Sequence, residues 1–140
     1  MRVYVDASIV LRGLLSGDRA MSKIAPTDEV GTSDLLEIEC KRVLQRERLE
    51  SHLDDRQYSE SLVLLDSLLD HLFVIALGPA VKRRATEPFP TVIGTLDAIH
   101  LASAILWRDA EPSSKLRILT YDRQLALCAQ AMGIQTGPQP

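Results

Sequence analysis

Cysteine is nearly missing from this chain: Cys40 and Cys128 are the only two. That excludes a disulfide framework and a paired-thiol metal site. Both fall on expected amphipathic helices. Cys128 shares a face with Leu125, Ala129 and Met132 and reads as a buried, reduced core residue. Aromatic residues are scarce at 4%, so the core must be built from Leu, Ile, Val and Ala. Positive charge is not in excess: 16 Lys and Arg stand against 19 Asp and Glu, for a net charge of -3. A plain nucleic-acid-binding module works through a broad basic field and is disfavoured. A nuclease is not, because an acidic centre lowers net charge while local cations hold phosphates. No apolar run reaches membrane-spanning length. MRVYVDAS turns polar after a few residues, unlike a secretory leader, so a cytoplasmic setting is expected. No glycine-rich turn follows the first apolar stretch, as a dinucleotide binder would need.

What is present is ordinary globular composition, 46% hydrophobic and 25% charged, at the length of one domain. The expected unit spans residues 1–136, with 137–140 as a flexible tail. Arg2 to Asp6 reads as a strand and ASIVLRGLL as a helix ended near Gly17. Residues 17–32 are ambiguous around Pro26, with a short strand at Val30 to Thr32. A long helix runs from Ser33 to Leu49. Asp54 starts another, with Tyr58, Leu62, Leu65, Leu69 and Leu72 as its apolar stripe. LFVIAL is a strand, and Gly78-Pro79 opens a helix. The TLDAIHLAS helix takes Thr95 as its N-cap and is apolar almost all round. LRILT is a strand, Asp122 caps the next helix, and Ile134 to Thr136 adds an edge strand. Strands alternating with helices predict a parallel sheet covered on both faces.

Four acids stand at structural edges of that pattern. Asp6 ends the first strand, and Asp122 lies two residues past LRILT. In open parallel sheets ligands bind beyond the carboxyl ends of the strands, so both face one crevice if those strands are neighbours. Asp97 sits in a first helical turn, where the positive helix end favours a carboxylate. Glu39 lies on a semi-apolar helix face, a costly place for an unpaired charge. Singly, each reads as a cap, a turn former or an ion-pair partner, as Glu39 would be of Arg42. Together they repel one another unless a cation is held between them. A divalent metal with oxygen ligands meets that need, and could hold a phosphodiester and activate water. There is no His or Cys cluster for zinc.

VDASIVL, SDLLEIECKR, LDAIHLASA and LTYDRQLA, in this order, resemble the motifs of the PIN-domain nucleases and, more narrowly, of the VapC-type toxins of bacterial toxin–antitoxin pairs. The likeness runs from Val5 to Gly133 and fits residues 17–32 least. It implies a Rossmann-like, three-layer α/β/α PIN domain with a mainly parallel central sheet. It implies an endoribonuclease using Mg²⁺ or Mn²⁺, forming a homodimer and neutralised by a small cognate antitoxin. The alternatives are a PIN nuclease of RNA maturation, and a non-catalytic PIN-like module acting with its antitoxin on operator DNA. By the resemblance Asp6, Glu39, Asp97 and Asp122 are the catalytic acids. Asp6, Asp97 and Asp122 hold the metal, and Glu39 positions or deprotonates the attacking water. Ser8 and Thr120 supply supporting hydroxyls. Glu37 rivals Glu39 but points about 160° away around the helix. Arg12, Arg42 and Arg83, with Lys41, Lys82 and Arg84, are candidates for the RNA backbone. His100 is read as partly buried or solvated, and Trp107 as a core or interface residue. A phosphotransfer domain would want a Lys after the late strand, where Tyr121, Asp122 and Arg123 stand. A haloacid-dehalogenase-like phosphatase would want an Asp where Ser8 stands.

Overall fold

The computed structural model describes residues 1–138. Its elements alternate as expected. The strands are β1 (Arg2–Val5), β2 (Glu29–Ser33), β3 (Phe73–Ile75), β4 (Leu116–Leu119) and β5 (Gln135–Gly137). The helices are α1 (Ala7–Ser16), α2 (Leu35–Leu49), α3 (Asp55–His71), α4 (Pro79–Thr86), α5 (Thr95–Asp109) and α6 (Arg123–Ala131). A 3-10 turn at Met21–Lys23 fills part of the stretch the sequence left open.

The five strands form one parallel sheet in the order β3-β2-β1-β4-β5. β1 is central, and alternation along it sorts the two cores. Val3 and Val5 face the side covered by α1, α2 and α3, with Ile9, Leu36, Leu44 and Leu65. Tyr4 faces the other side, with Leu101, Ile105, Trp107, Leu125 and Cys128 of α5 and α6. This is the three-layer α/β/α arrangement. Chain direction reverses away from β1 on either side, so the gap between the ends of β1 and β4 is a topological switch point.

Three boundaries differ from the sequence reading, each for a local reason. Ser33 belongs to β2, because it pairs with Ile75; its hydroxyl then accepts from the Leu35 amide, and the helix begins there. Gly94, in extended conformation, takes the cap position before α5, so Thr95 is the first helical residue and its hydroxyl is no cap. Gly137 lies in β5, paired with Leu119, and its carbonyl accepts from Thr120 N at 2.8 Å. The expected tail therefore loses its first residue to the sheet, and its last two lie outside the described residues. Gly17 ends α1 at φ 69°, a left-handed conformation glycine adopts without steric cost.

One close approach fixes α5 on the sheet. Gly31 of β2 leaves room for the Trp107 ring: a Cβ there would stand 2.8 Å from Cη2. Trp107 is buried, stacks on Phe73 with centroids 5.9 Å apart, and carries the Arg2 guanidinium 5.1 Å from its centre. Arg2 also donates to the Trp107 carbonyl. The end of α5 is thereby tied to the start of β1, which puts the first turn of α5 at the opposite edge, where the strands end. No helix among the described residues is long and apolar enough to cross a membrane.

Candidate active site

β1 and β4 are neighbours, so Asp6 and Thr120, each one residue past its strand, meet. Thr120 Oγ1 donates to Asp6 Oδ2 at 2.5 Å. Asp6 Oδ1 accepts from Ser8 Oγ at 2.6 Å and from the Ser8 and Ile9 amides. Asp6 is thus the N-cap of α1 and a crevice acid at once. The two hydroxyls are fixed in turn: Tyr121 N donates to Ser8 Oγ at 2.9 Å, and Asp122 N to Thr120 Oγ1 at 3.0 Å. The β4–α6 turn is laced to Asp6 through Ser8 and Thr120. Burial raises the Asp6 carboxyl above its usual range, with the Ser8 and Thr120 hydrogen bonds opposing.

Asp122 caps α6 through the Gln124 and Leu125 amides. Only its Oδ1 accepts these bonds. Asp97 sits in the first turn of α5, half-buried. Its carboxyl is pushed up to about 6, first by burial, then by Asp122, then by Asp6. Three acids from distant parts of the chain therefore bear on one another across the crevice.

Glu39 reaches the same neighbourhood from α2. Its Oε1 lies 2.5 Å from His100 Nε2, and His100 Nδ1 lies 2.6 Å from Tyr4 OH. A carboxylate only accepts, so Nε2 carries the proton toward Glu39 and Nδ1 accepts from the phenol. Burial, with Asp6 and Glu39 nearby, raises Tyr4 well above its usual range and keeps that phenol protonated. His100 is not the partly solvated residue the sequence suggested: it is 2% exposed. It lies three residues past Asp97, on the inward face of α5. The missed signal was that position in an otherwise apolar helix, with an acid and a tyrosine available to pair it. Glu37 points away and pairs with Lys41 at 2.7 Å, so Glu39 is the residue of the two that faces inward. Glu39 and Asp6 add to burial in driving the Cys40 thiol up to about 12, which leaves it inert.

Arg12 lines a cleft of about 670 Å³ that opens beside Thr120 and Asp122. Arg42 and Arg83 stand exposed on α2 and α4 and do not line it. Lys41 is engaged by Glu37 and Asp66, and Arg84 by Glu87.

The donor set of the crevice is carboxylate and hydroxyl oxygen, which suits a hard cation such as Mg²⁺ or Mn²⁺. Asp97 is raised first by burial and then by Asp122 and Asp6, and a cation between these acids would offset that repulsion. Asp97 lies within hydrogen-bond reach of Asp122, but the three crevice acids do not all bring ligand atoms within 4.8 Å of one another. Among the described residues, the one trio with ligand atoms all within 4.8 Å is Glu47, Glu50 and His52, at the end of α2. That trio is largely exposed, and His52 Nδ1 is already bonded to Glu47 at 2.7 Å.

The family model of the PIN domain matches residues 3–131. This chain belongs to the PIN-domain family. No curated relative matches it. Its fold is similar to solved toxin–antitoxin structures at low sequence identity. A VapBC2 chain from Rickettsia felis, solved with a DNA fragment from the VapBC2 promoter, aligns at TM-score 0.69 and 12% identity over 100% of both chains. VapBC-1 from nontypeable Haemophilus influenzae aligns at 0.63 and 12%, over 98% of this chain and 97% of the other. A toxin–antitoxin complex from Klebsiella pneumoniae aligns at 0.59 and 19%, over 89% and 90%. This PIN domain therefore shares the fold of those chains over 89% of its length or more.

Proposed function

We propose that this PIN domain is a metal-dependent endoribonuclease, a toxin of the VapC type held in check by a small antitoxin. The observation that carries the reading is the convergence of Asp6, Asp97 and Asp122 at the ends of β1 and β4, with Glu39 facing them from α2. Asp6, Asp97 and Asp122 would hold Mg²⁺ or Mn²⁺, and the ion would supply charge for the scissile phosphate and an acidified water. Asp6 is fixed by Ser8 and Thr120, so its ligand geometry is set before substrate arrives. Glu39 is aimed by His100 and serves as the proton acceptor for the attacking water. Similarity of fold over most or all of the chain to chains of toxin–antitoxin structures supports the antitoxin partner. A homodimer, and action in the cytoplasm where RNA and antitoxin meet, complete the reading.

The test is cleavage of total cellular RNA by the purified protein, with and without EDTA. Activity silenced by the chelator and restored by Mg²⁺ or Mn²⁺ supports the reading. Cleavage that persists in EDTA removes the metal from it.

A further inference from the structure

Beside the catalytic crevice lies a cleft whose lining holds four cations against two acids, Asp18 and Asp122. Arg12, Arg19, Lys23 and Arg123 line it together with Tyr121, and it opens onto Thr120 and Asp122. Among the described residues none of the four has a carboxylate within ion-pair distance, whereas Arg2, Lys41, Arg48, Arg56, Arg84 and Arg108 all do. A local excess of positive charge around one hollow is conspicuous in a chain of net charge -3. One of them is also pre-set. The Arg12 guanidinium lies 3.9 Å from the centre of the Tyr121 ring. Tyr121 OH in turn donates to Asp18 Oδ2 at 2.7 Å. Asp18 is thus spent on the phenol, with the Ala20 amide on the same oxygen at 3.2 Å. Arg12 is held over an aromatic face at the edge of the cleft, where a guanidinium can grip a phosphate through two hydrogen bonds.

We propose that this cleft is a phosphate-binding track for single-stranded RNA, one side of the catalytic crevice. Resting on the nuclease reading, it seats the backbone next to the bond to be cut, and so fixes from which side the strand enters. About 670 Å³ is the size of a small-ligand site, which admits a stretch of single strand and not a duplex. The 3-10 turn and the loop before it, weakly patterned in sequence, supply Arg19 and Lys23 as one wall. Tyr121 and Asp18 are positioning residues: they act through Arg12.

The experiment is the salt dependence of binding of a fluorescein-labelled oligouridine, read by anisotropy in EDTA so that the strand stays intact. Each lost phosphate contact lowers the slope of log K against log salt by about 0.7 for a single strand. Arg12→Ala with Arg123→Ala should weaken binding about tenfold or more and lower the slope by about 1.4. Arg19 and Arg123 are exposed and unpaired, so R19A/R123A gives the same readout without touching the Tyr121 contact. Tyr121→Phe keeps the ring under Arg12 but releases Asp18 to pair with it, so binding should weaken and the slope fall by up to about 0.7. Arg46→Ala with Lys115→Ala removes two unpaired charges elsewhere and should leave both quantities unchanged. Equal losses in that control pair, or stronger binding of duplex DNA than of the oligouridine, overturns the track. Cleavage and binding both intact in R12A/R123A overturns the track alone. Binding lost in that variant while the parent protein never cuts RNA overturns the nuclease reading and keeps the track.

Discussion

His100 Nε2 faces Glu39 Oε1 at 2.5 Å and thereby joins α5 to α2 across the mouth of the crevice. The imidazole is fully buried and holds Tyr4 on its other nitrogen. His100→Ala should leave two polar groups unmatched and cost about 2–4 kcal/mol of stability, since each unsatisfied buried group costs ~1–3 kcal/mol. Urea unfolding measures this. If His100 aims Glu39, the variant should also lose about 10- to 100-fold in kcat with KM little changed, since a misaimed general base costs rate and not binding. His100→Gln, which keeps a donor for Glu39, should recover part of that rate. A variant that unfolds more easily yet cuts at full speed would make His100 structural only.

Asp6 and Asp122 are both caps and crevice acids, and this duality allows a clean test. Asparagine caps helices about as well as aspartate, so Asp6→Asn and Asp122→Asn keep the fold while removing the charge. Each should lower RNA cleavage by about a thousandfold, ~4 kcal/mol of transition-state stabilisation. Circular dichroism should show an unchanged fold. Retained cleavage in either variant takes that acid out of the mechanism.

Asp97 gives the sign of the pH dependence. Its carboxyl titrates near 6 in the fold, against an ordinary value of 3.8. The folded protein therefore binds this proton more tightly than the unfolded chain. The stability that results is fully present below about pH 4 and is lost as pH rises through about 6. Without metal, the melting temperature should fall across that window, and Asp97→Asn should flatten the fall. Mg²⁺ competes with the proton for the same oxygens, so its stabilising effect should grow as pH rises through 6. A metal-induced shift that is greatest at pH 5 would contradict this.

The strands and the order of the helices were legible because they rest on short-range signals, whereas the four acids stood out as a set only through the motifs that resemble the PIN family. β-branched runs bounded by turns mark strands, and acids at helix starts mark caps. The dual use of Asp6 was half visible, since a cap and a crevice acid look alike in sequence. His100 was not legible: its burial depends on Glu39 and Tyr4, residues 61 and 96 positions away. The basic cleft was hidden for the same reason. Arg12, Lys23 and Arg123 come from α1, the 3-10 turn and α6, and only the fold assembles them. Thr95 was misplaced by one residue because an extended glycine can hold a cap position without a side-chain bond.

Gly31 and Trp107 provide the last prediction. A Cβ at residue 31 would meet Cη2 at 2.8 Å, Cζ3 at 2.9 Å and Cζ2 at 3.0 Å. The ring cannot give way freely, because Phe73 stacks on it and Arg2 holds both its face and its carbonyl. Gly31→Ala should therefore cost about 1–3 kcal/mol, the usual penalty of overpacking a filled core. The strain would push α5 outward, and α5 carries both Asp97 and His100, so cleavage per folded molecule should drop as well. Trp107→Leu removes the obstruction at the price of a cavity. In the double variant the two losses should fall short of additivity by about 0.5–3 kcal/mol, as for residues in direct contact. Strict additivity in urea unfolding would mean that the ring already yields, and that α5 is seated on the sheet by something other than this contact.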